Sequence, residues 1–478
     1  MVHRSISRRS FLKSAGMGAA ALAMTGCGNS LGQLGLGPAG RRPNIIFVMA
    51  DDLGYGDLGC YGQARIQTPN LDRMAAEGMR FTDHYAGSTV CAPSRCCLMT
   101  GLHTGHSYVR GNREVKPMGQ LPLPAETATV PRLLQQAGYT TALIGKWGLG
   151  GPDSTGVPNQ QGFDYFFGYL CQRHAHNYYP EFLFRNAERV PLDNEVAGDR
   201  PDGAGVATKK VQYSYDLMAE EALQFVRDQK DGPFFLYLAI TIPHANNEAG
   251  NKGMEVPDLG PYADEDWPEP QKGHAAMITR LDRDMGRLMR ELEALGIEKD
   301  TVVFFTSDNG PHREGGANPT FSDSNGPLRG IKRDLYEGGI RVPLIARWPG
   351  QIAAGTESDH ISAFWDVMPT FADLTGAKAP NCTDGISMVP TLLGRPDRQQ
   401  KHTFLYWEFH AGVTKQAVRL GRWKAVRFGT KGKLELYDLT TDIGETDNVA
   451  DGHPEVVAKI EAYLAGARTE SEFWTLKG

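Results

Sequence analysis

The chain has 478 residues, 41% hydrophobic and 22% charged, with a formal net charge of −6. This is the composition of a globular protein long enough for one large domain and a smaller companion. The negative balance argues against a nucleic-acid partner, whose phosphates call for a basic surface.

Residues 1–27 read as a targeting segment. Ser7-Arg8-Arg9-Ser10-Phe11-Leu12-Lys13 is a twin-arginine pattern, and a short run of small apolar residues follows it. Met24-Thr25-Gly26-Cys27 then has the form of a lipobox, which makes Cys27 the expected lipid anchor of the exported chain. The apolar run is too short to span a bilayer, and no other stretch approaches twenty residues. Export by this route predicts a lipid-anchored protein in the periplasm or outer membrane of a bacterium. Cleavage removes Arg4, Arg8, Arg9 and Lys13 but no acid, so the mature chain is more negative still. Residues 28–42, rich in glycine, read as a flexible tether.

From residue 43 helical and strand patterns alternate, which predicts an α/β fold with a largely parallel or mixed sheet between helices. Residues 44–50 form an apolar strand ending at Asp51-Asp52. Residues 69–77 and 130–137 read as helices stopped by glycine, and 140–144 as a strand. A helix is expected over 214–229, a strand over 234–241, and a long helix over 274–295 with Met277, Leu281, Met285, Leu288 and Leu292 at helical spacing. The strand 301–306 delivers Ser307-Asp308-Asn309-Gly310. Beyond residue 400 short β-type runs at 403–408, 416–420, 423–428 and 433–439 precede a last helix at 454–465. The division expected is a catalytic domain over 43–400 and a small antiparallel α+β subdomain over 401–478. Besides Cys27 and Cys91, five cysteines remain (Cys60, Cys96, Cys97, Cys171, Cys382), an odd number without regular spacing, so no disulfide framework is predicted.

One stretch concentrates unusual chemistry: Cys91-Ala92-Pro93-Ser94-Arg95-Cys96-Cys97-Leu98-Met99-Thr100-Gly101. Pro93 suits a first helical turn, which puts Cys91 at a positive helix end and Arg95 one turn further on. A lone Cys-x-Pro reads equally well as a packed cysteine at a helix start. Asp51, Asp52, Asp308 and Asn309 follow two strands, where open parallel sheets hold ligands. They are hard oxygen donors, suited to Ca²⁺ or Mg²⁺.

The eleven residues resemble the signature of the type I sulfatases of the alkaline phosphatase superfamily, Cys-x-Pro-Ser-Arg-x-x-Leu-x-Thr-Gly. The similarity runs from Pro43 to at least Asn448, through Gly145-Lys146-Trp147-Gly148-Leu149-Gly150, Leu328-Arg329-Gly330-Ile331-Lys332 and Glu435-Leu436-Tyr437-Asp438-Leu439. The resemblance implies an alkaline phosphatase-like large mixed sheet and a sulfuric ester hydrolase. It implies that Cys91 is oxidised to formylglycine by a formylglycine-generating enzyme, and that the hydrated aldehyde is the nucleophile. Asp51, Asp52, Asp308 and Asn309 would hold a divalent ion, generally calcium. Arg95 would steady the modified residue, Lys146 and Lys332 would hold sulfate oxygens, and His244 would act as general acid. The family pattern has a histidine that bonds the formylglycine hydrate where this chain has Gly148, which leaves that role open among His103, His106, His174 and His176. Arg173, His174, His176 and, less directly, His312 are expected to bind a sugar, since donors and aromatics together suit carbohydrate. A sulfated glycan, of galactose type by branch resemblance, is the expected substrate. The rival readings are a phosphodiesterase or phosphonate hydrolase of the same superfamily and a non-catalytic glycan-binding lipoprotein. A cysteine phosphatase fits less well, because its loop places Cys and Arg six residues apart and here they are four apart.

Overall fold

In the computed structural model, which describes residues 42–198 and 200–478, the chain is built on one ten-stranded mixed sheet. Its strands in chain order are β1 (Asn44–Ala50), β2 (Met79–Phe81), β3 (Thr140–Lys146), β4 (Tyr165–Tyr169), β5 (Phe182–Arg185), β6 (Glu188–Pro191), β7 (Phe234–Ala239), β8 (Thr301–Ser307), β9 (Leu344–Arg347) and β10 (Thr356–Ser358). The spatial order is β10-β2-β9-β8-β1-β7-β3-β4-β5-β6. The central five strands, β8-β1-β7-β3-β4, are parallel; antiparallel pairings follow on both sides (β8-β9-β2 and β4-β5-β6), and β10 closes one edge parallel to β2. Such a sheet must be covered on both faces, so its central strands are continuously apolar. All seven residues of β1 are buried.

Alternation along β1 divides the core in two. Ile46 and Val48 face one layer, which is built with α4 (Ser214–Gln229) and α5 (Glu269–Ala294). Ile45, Phe47 and Met49 face the other, with α2 (Cys91–Thr100), α3 (Val130–Gln136) and Phe371. The helix α1 (Pro69–Ala76) joins the first layer. The α5 helix begins five residues earlier than its apolar spacing indicates. Pro270 sits in its first turn, where a missing N–H costs nothing, and the polar opening turn carries no periodic signal. The β7 strand ends at Ala239, two residues before the expected 241, and β5, β6, β9 and β10 lie in stretches too short to show alternation.

The C-terminal part is a separate antiparallel sheet, β11 (Leu405–Ala411), β12 (Val413–Leu420), β13 (Trp423–Phe428) and β14 (Glu435–Asp438), in that order, with α6 (Pro454–Leu464) on one face. Its other face, with Trp407, Phe409 and Tyr437, packs on Tyr85, Leu335 and Trp365. All described residues belong to one compact unit. The targeting segment and tether expected over 1–41 lie outside the described residues. Among the described residues no helix is long and apolar enough to cross a membrane.

Candidate active site

The parallel registers bring the carboxyl ends of four strands level: Ala50 pairs with Ser307, Met49 with Ala239, and Ala239 with Gly145. The residues at or immediately beyond those ends are Asp51-Asp52, Asp308-Asn309, Lys146 (the last residue of β3) and the loop to His244. Against them stands the N-terminus of α2, all ten residues of which are buried. Pro93 falls in its first turn, and Gly101 closes it in the left-handed region at φ 69°. Cys91 is therefore the first residue of a buried helix, its Sγ 3.6 Å from Asp51 Oδ1.

A network of buried charge surrounds it. Arg95 donates to Asp308 Oδ2 at 2.8 Å, to Asp51 Oδ2 at 3.2 Å and to the Lys146 carbonyl at 2.7 Å. Lys146 Nζ lies 2.6 Å from Asp51 Oδ2, and Lys332 Nζ lies 2.7 Å from Asp52 Oδ2. Burial works against ionisation of Asp51, but Lys146 foremost among its basic neighbours reverses this and holds the carboxyl well below its usual range. Burial, with Asp51 beside it, pushes Asp308 up to about 7. The Cys91 thiol is raised by burial and again by Asp51.

His244 has a defined tautomer. Its Nδ1 lies 2.7 Å from the Ala245 carbonyl and must carry the proton, so Nε2 accepts from Lys332 Nζ at 3.1 Å. The ring is sandwiched between His176 (centroids 4.9 Å apart, planes 14°) and His312 (5.8 Å, 26°). Burial and then Lys332 hold its pKa well below the ordinary histidine value. Glu314 also binds Lys332, at 3.1 Å.

Three carboxylates (Asp51, Asp52, Asp308) thus meet three basic groups (Arg95, Lys146, Lys332), and the outer Glu314 is balanced by Arg333, which leaves the cluster close to neutral. The donors fit a hard divalent cation. Asn309 Nδ2 is committed to Asp52 Oδ1 and the Gly310 carbonyl, while its Oδ1 is buried with no partner, a costly arrangement unless a cation takes that lone pair. Ligand atoms of Asp51, Asp52, Cys91 and His244 also lie within 4.8 Å of one another. A softer metal on His244 is disfavoured, because its Nε2 lone pair already faces Lys332. A divalent ion on a neutral cluster leaves a net positive site, which is what a sulfate ester needs.

The histidine-rich segment divides. His176 reaches the site and pairs with Glu248 at 3.2 Å. Arg173 lines a cleft of about 490 Å³ with Lys116, Arg200 and Asp202, and its charge is shared among Glu114, Asp202 and Glu248. His174 does not join them: it is fully buried against Tyr169 and Phe182, where burial lowers its pKa to about 3. His103 and His106 pair with Asp384, whose N–H donates to the carbonyl of Gly101. That is the far end of α2, about 15 Å from Cys91 at 1.5 Å per residue. Sequence reasoning passed over Glu314 and Glu248. Glu314 lies two residues past His312, which was the available signal.

Residues 43–377 match the family described as Sulfatase, and residues 331–470 match the C-terminal region described as N-sulphoglucosamine sulphohydrolase, C-terminal. Residues 5–25 match the twin-arginine translocation pathway signal sequence, which supports export by that route. The chain is 35% identical to arylsulfatase A of Homo sapiens over 88% of this chain and 87% of that one. It is 30% identical to N-acetylgalactosamine-6-O-sulfatase of Bacteroides thetaiotaomicron over 93% and 97%. Among solved structures, Ps i-CgsB in complex with k-i-k-neocarrahexaose superposes with a TM-score of 0.74 at 28% identity, covering 89% of this chain and 92% of that one. The chain therefore belongs to the sulfatase family and is a sulfuric ester hydrolase.

Proposed function

We propose that this sulfatase removes sulfate from carbohydrate esters through a formylglycine made from Cys91. The observation that carries the reading is the convergence of Cys91, at a buried helix N-terminus, with Asp51, Asp52, Asp308, Asn309, Lys146 and Lys332 at the carboxyl edge of one sheet. The similar Bacteroides thetaiotaomicron protein is an N-acetylgalactosamine-6-O-sulfatase and Ps i-CgsB is bound to k-i-k-neocarrahexaose, which supports a sulfated poly- or oligosaccharide as substrate here.

In this reading the oxidised residue 91 supplies a hydrated aldehyde as nucleophile toward sulfur. Asp51, Asp52, Asp308 and Asn309 would hold Ca²⁺ or Mg²⁺, which would supply positive charge against the sulfate oxygens. Arg95 fixes Asp51 and Asp308 and orients the start of α2. Lys146 and Lys332 bind sulfate oxygens, each now resting on an aspartate that a cation would take over. The proton for the departing sugar oxygen comes from the Lys332–His244 pair. His244 spends Nδ1–H on Ala245, so it can donate only from Nε2, which is loaded through Lys332 Nζ. His176 and His312 hold the ring in place, and Arg173 faces the sugar along the adjoining cleft. Maturation requires a formylglycine-generating enzyme, and a lipid at Cys27 would keep the exported chain on the membrane surface.

The test is peptide mass spectrometry of residue 91 from the native host, paired with sulfate release from oligosaccharides of defined ester position. The expected result is an aldehyde at residue 91, release from at least one sugar, and a loss of at least about a thousandfold in Cys91→Ala. An unmodified thiol with no sulfate released from any sugar overturns the reading.

A further inference from the structure

Gly148 lies two residues beyond Lys146, in a segment that still runs beside β4: Trp147 N–H donates to the Tyr169 carbonyl at 2.9 Å and Gly148 N–H to the Leu170 carbonyl at 3.1 Å. It adopts φ +82°, and a Cβ placed on it would fall 2.0 Å from Gln172 Nε2 and 2.8 Å from Gln172 Cδ. The Gln172 amide therefore fills the space that any side chain at position 148 would need. Gln172 is only 5% exposed, yet neither its Nε2 nor its Oε1 has a hydrogen-bond partner. Its backbone is fixed instead, with its N–H donating to Gln120 Oε1 at 2.8 Å. A buried donor and a buried acceptor left unpaired are costly, and such groups call for a partner. The four histidines that sequence reasoning offers for this place lie elsewhere: His103 and His106 beyond the other end of α2, His174 among aromatics, His176 against His244.

We propose that the Gln172 side-chain amide binds a hydroxyl group at the reaction centre, and that position 148 is glycine to admit it. The chemistry follows from the pair of unpartnered atoms. An amide with both donor and acceptor free matches a group that can accept and donate at once, which a hydroxyl does and a sulfate oxygen does not. Lys146, two residues before Gly148, and Cys91 meet at the two oxygens of Asp51, so the hydroxyl assigned is one of the two on a hydrated aldehyde at residue 91; a sugar hydroxyl has the same chemistry. This inference rests on the formylglycine reading above.

The experiment compares wild type with Gln172→Leu, Gln172→Glu and the exchange Gly148→His/Gln172→Gly. Two readouts are taken: capture of the residue 91 aldehyde by an aminooxy probe, followed by mass spectrometry, and steady-state kinetics on 4-nitrophenyl sulfate and a sulfated disaccharide. Only the unhydrated aldehyde is captured, so loss of a bond to the hydrate in Gln172→Leu should speed capture at least about threefold and lower kcat on the aryl sulfate at least about tenfold. Gln172→Glu, which keeps the volume and the acceptor, should fall between, and the exchange should recover part of kcat. An effect confined to KM for the disaccharide assigns the hydroxyl to the sugar. Unchanged capture and kinetics in Gln172→Leu, or equal losses in Leu and Glu variants that track a falling Tm, would overturn the assignment. Wild type lacking the aldehyde would instead bring down the formylglycine reading, and this inference with it.

Discussion

Two clusters of buried charge among the described residues differ in a telling way. One surrounds Cys91. The other sits at the seam between the large sheet and the C-terminal one, where Lys424 of β13 lies between Glu337 at 2.9 Å and Glu445 at 3.2 Å. Arg341, Arg419, Asp83 and Tyr85 complete it. Each cluster sets three carboxylates against three basic groups. At the seam every one of these side chains is bonded: Arg341 to Asp83, Glu337 and the Thr82 carbonyl, and Glu445 to the Glu337 N–H at 2.7 Å. Around Cys91 the buried Asn309 Oδ1, Arg95 Nε, Thr89 Oγ1 and Thr241 Oγ1 have no partner. Balanced charge is common to both. What separates a site from a staple is the bonding capacity left over, because unpaired buried groups are stable only where something else arrives to pair them.

Removing the cation separates the two most strongly. Chelation, or Asn309→Ala, should lower kcat/KM at least about a thousandfold, the several kcal/mol a bound cation supplies to a developing oxyanion. Calcium should restore the chelated wild type and fail to restore the variant. Calcium should also raise the wild-type Tm, by an amount equivalent to about 2.7 kcal/mol at a hundredfold excess over Kd. Seam variants should keep that increment. If calcium leaves both activity and Tm unmoved, the leftover capacity at Asn309 has another meaning.

Lys424→Met is the converse. It strands Glu337 and Glu445 together in a buried seam, and breaking a buried pair in this way costs about 3–5 kcal/mol. Chemical denaturation should report that loss, while kcat per folded molecule stays at the wild-type value. A fall in kcat without a stability loss would show that the seam serves the site, and the contrast between the clusters would collapse.

The contrast also explains what could be read without coordinates. Strand ends, the α2 motif and the acids beyond β1 and β8 are contiguous in sequence, so local pattern sufficed for them. The short β-type runs beyond residue 400 marked the C-terminal sheet, but the ten-stranded order left no local trace: β1 is buried along its whole length, and β5, β6, β9 and β10 are too short to show alternation. Gln172 gave no such signal. Its significance arises only because β3 and β4 lie side by side and bring it against Gly148, 24 positions earlier. The seam is equally silent: Glu337 and Lys424 are 87 residues apart, and each reads alone as a surface charge. His174 went the other way, since a histidine in a polar run gives no hint that Tyr169 and Phe182 close over it.

The finest test lies within the seam, where two carboxylates share one ammonium and should titrate in opposite senses. Burial pushes Glu337 up, but Lys424, Arg419 and Arg341 outweigh it and hold the carboxyl at about 2. Its contribution to stability is therefore complete above its unfolded value of 4.5 and drains away as pH falls toward 2. For Glu445, burial and then the nearby Glu337 outweigh Lys424 and the bond from the Glu337 N–H, and the carboxyl is raised to about 7. Its contribution is complete below its unfolded value of 4.5 and is lost as pH rises through about 7. Replacing Glu445 with Gln removes that second dependence. Relative to wild type, Glu445→Gln should gain Tm between pH 5 and pH 8, by the equivalent of about 1 kcal/mol or more, since one pKa unit is worth roughly 1.4 kcal/mol. Glu337→Gln should instead lose most at neutral pH and approach wild type only in acid. Parallel Tm profiles for the two variants would mean that the carboxylates share Lys424 equally, and that the seam is held by its geometry and not by one dominant ion pair.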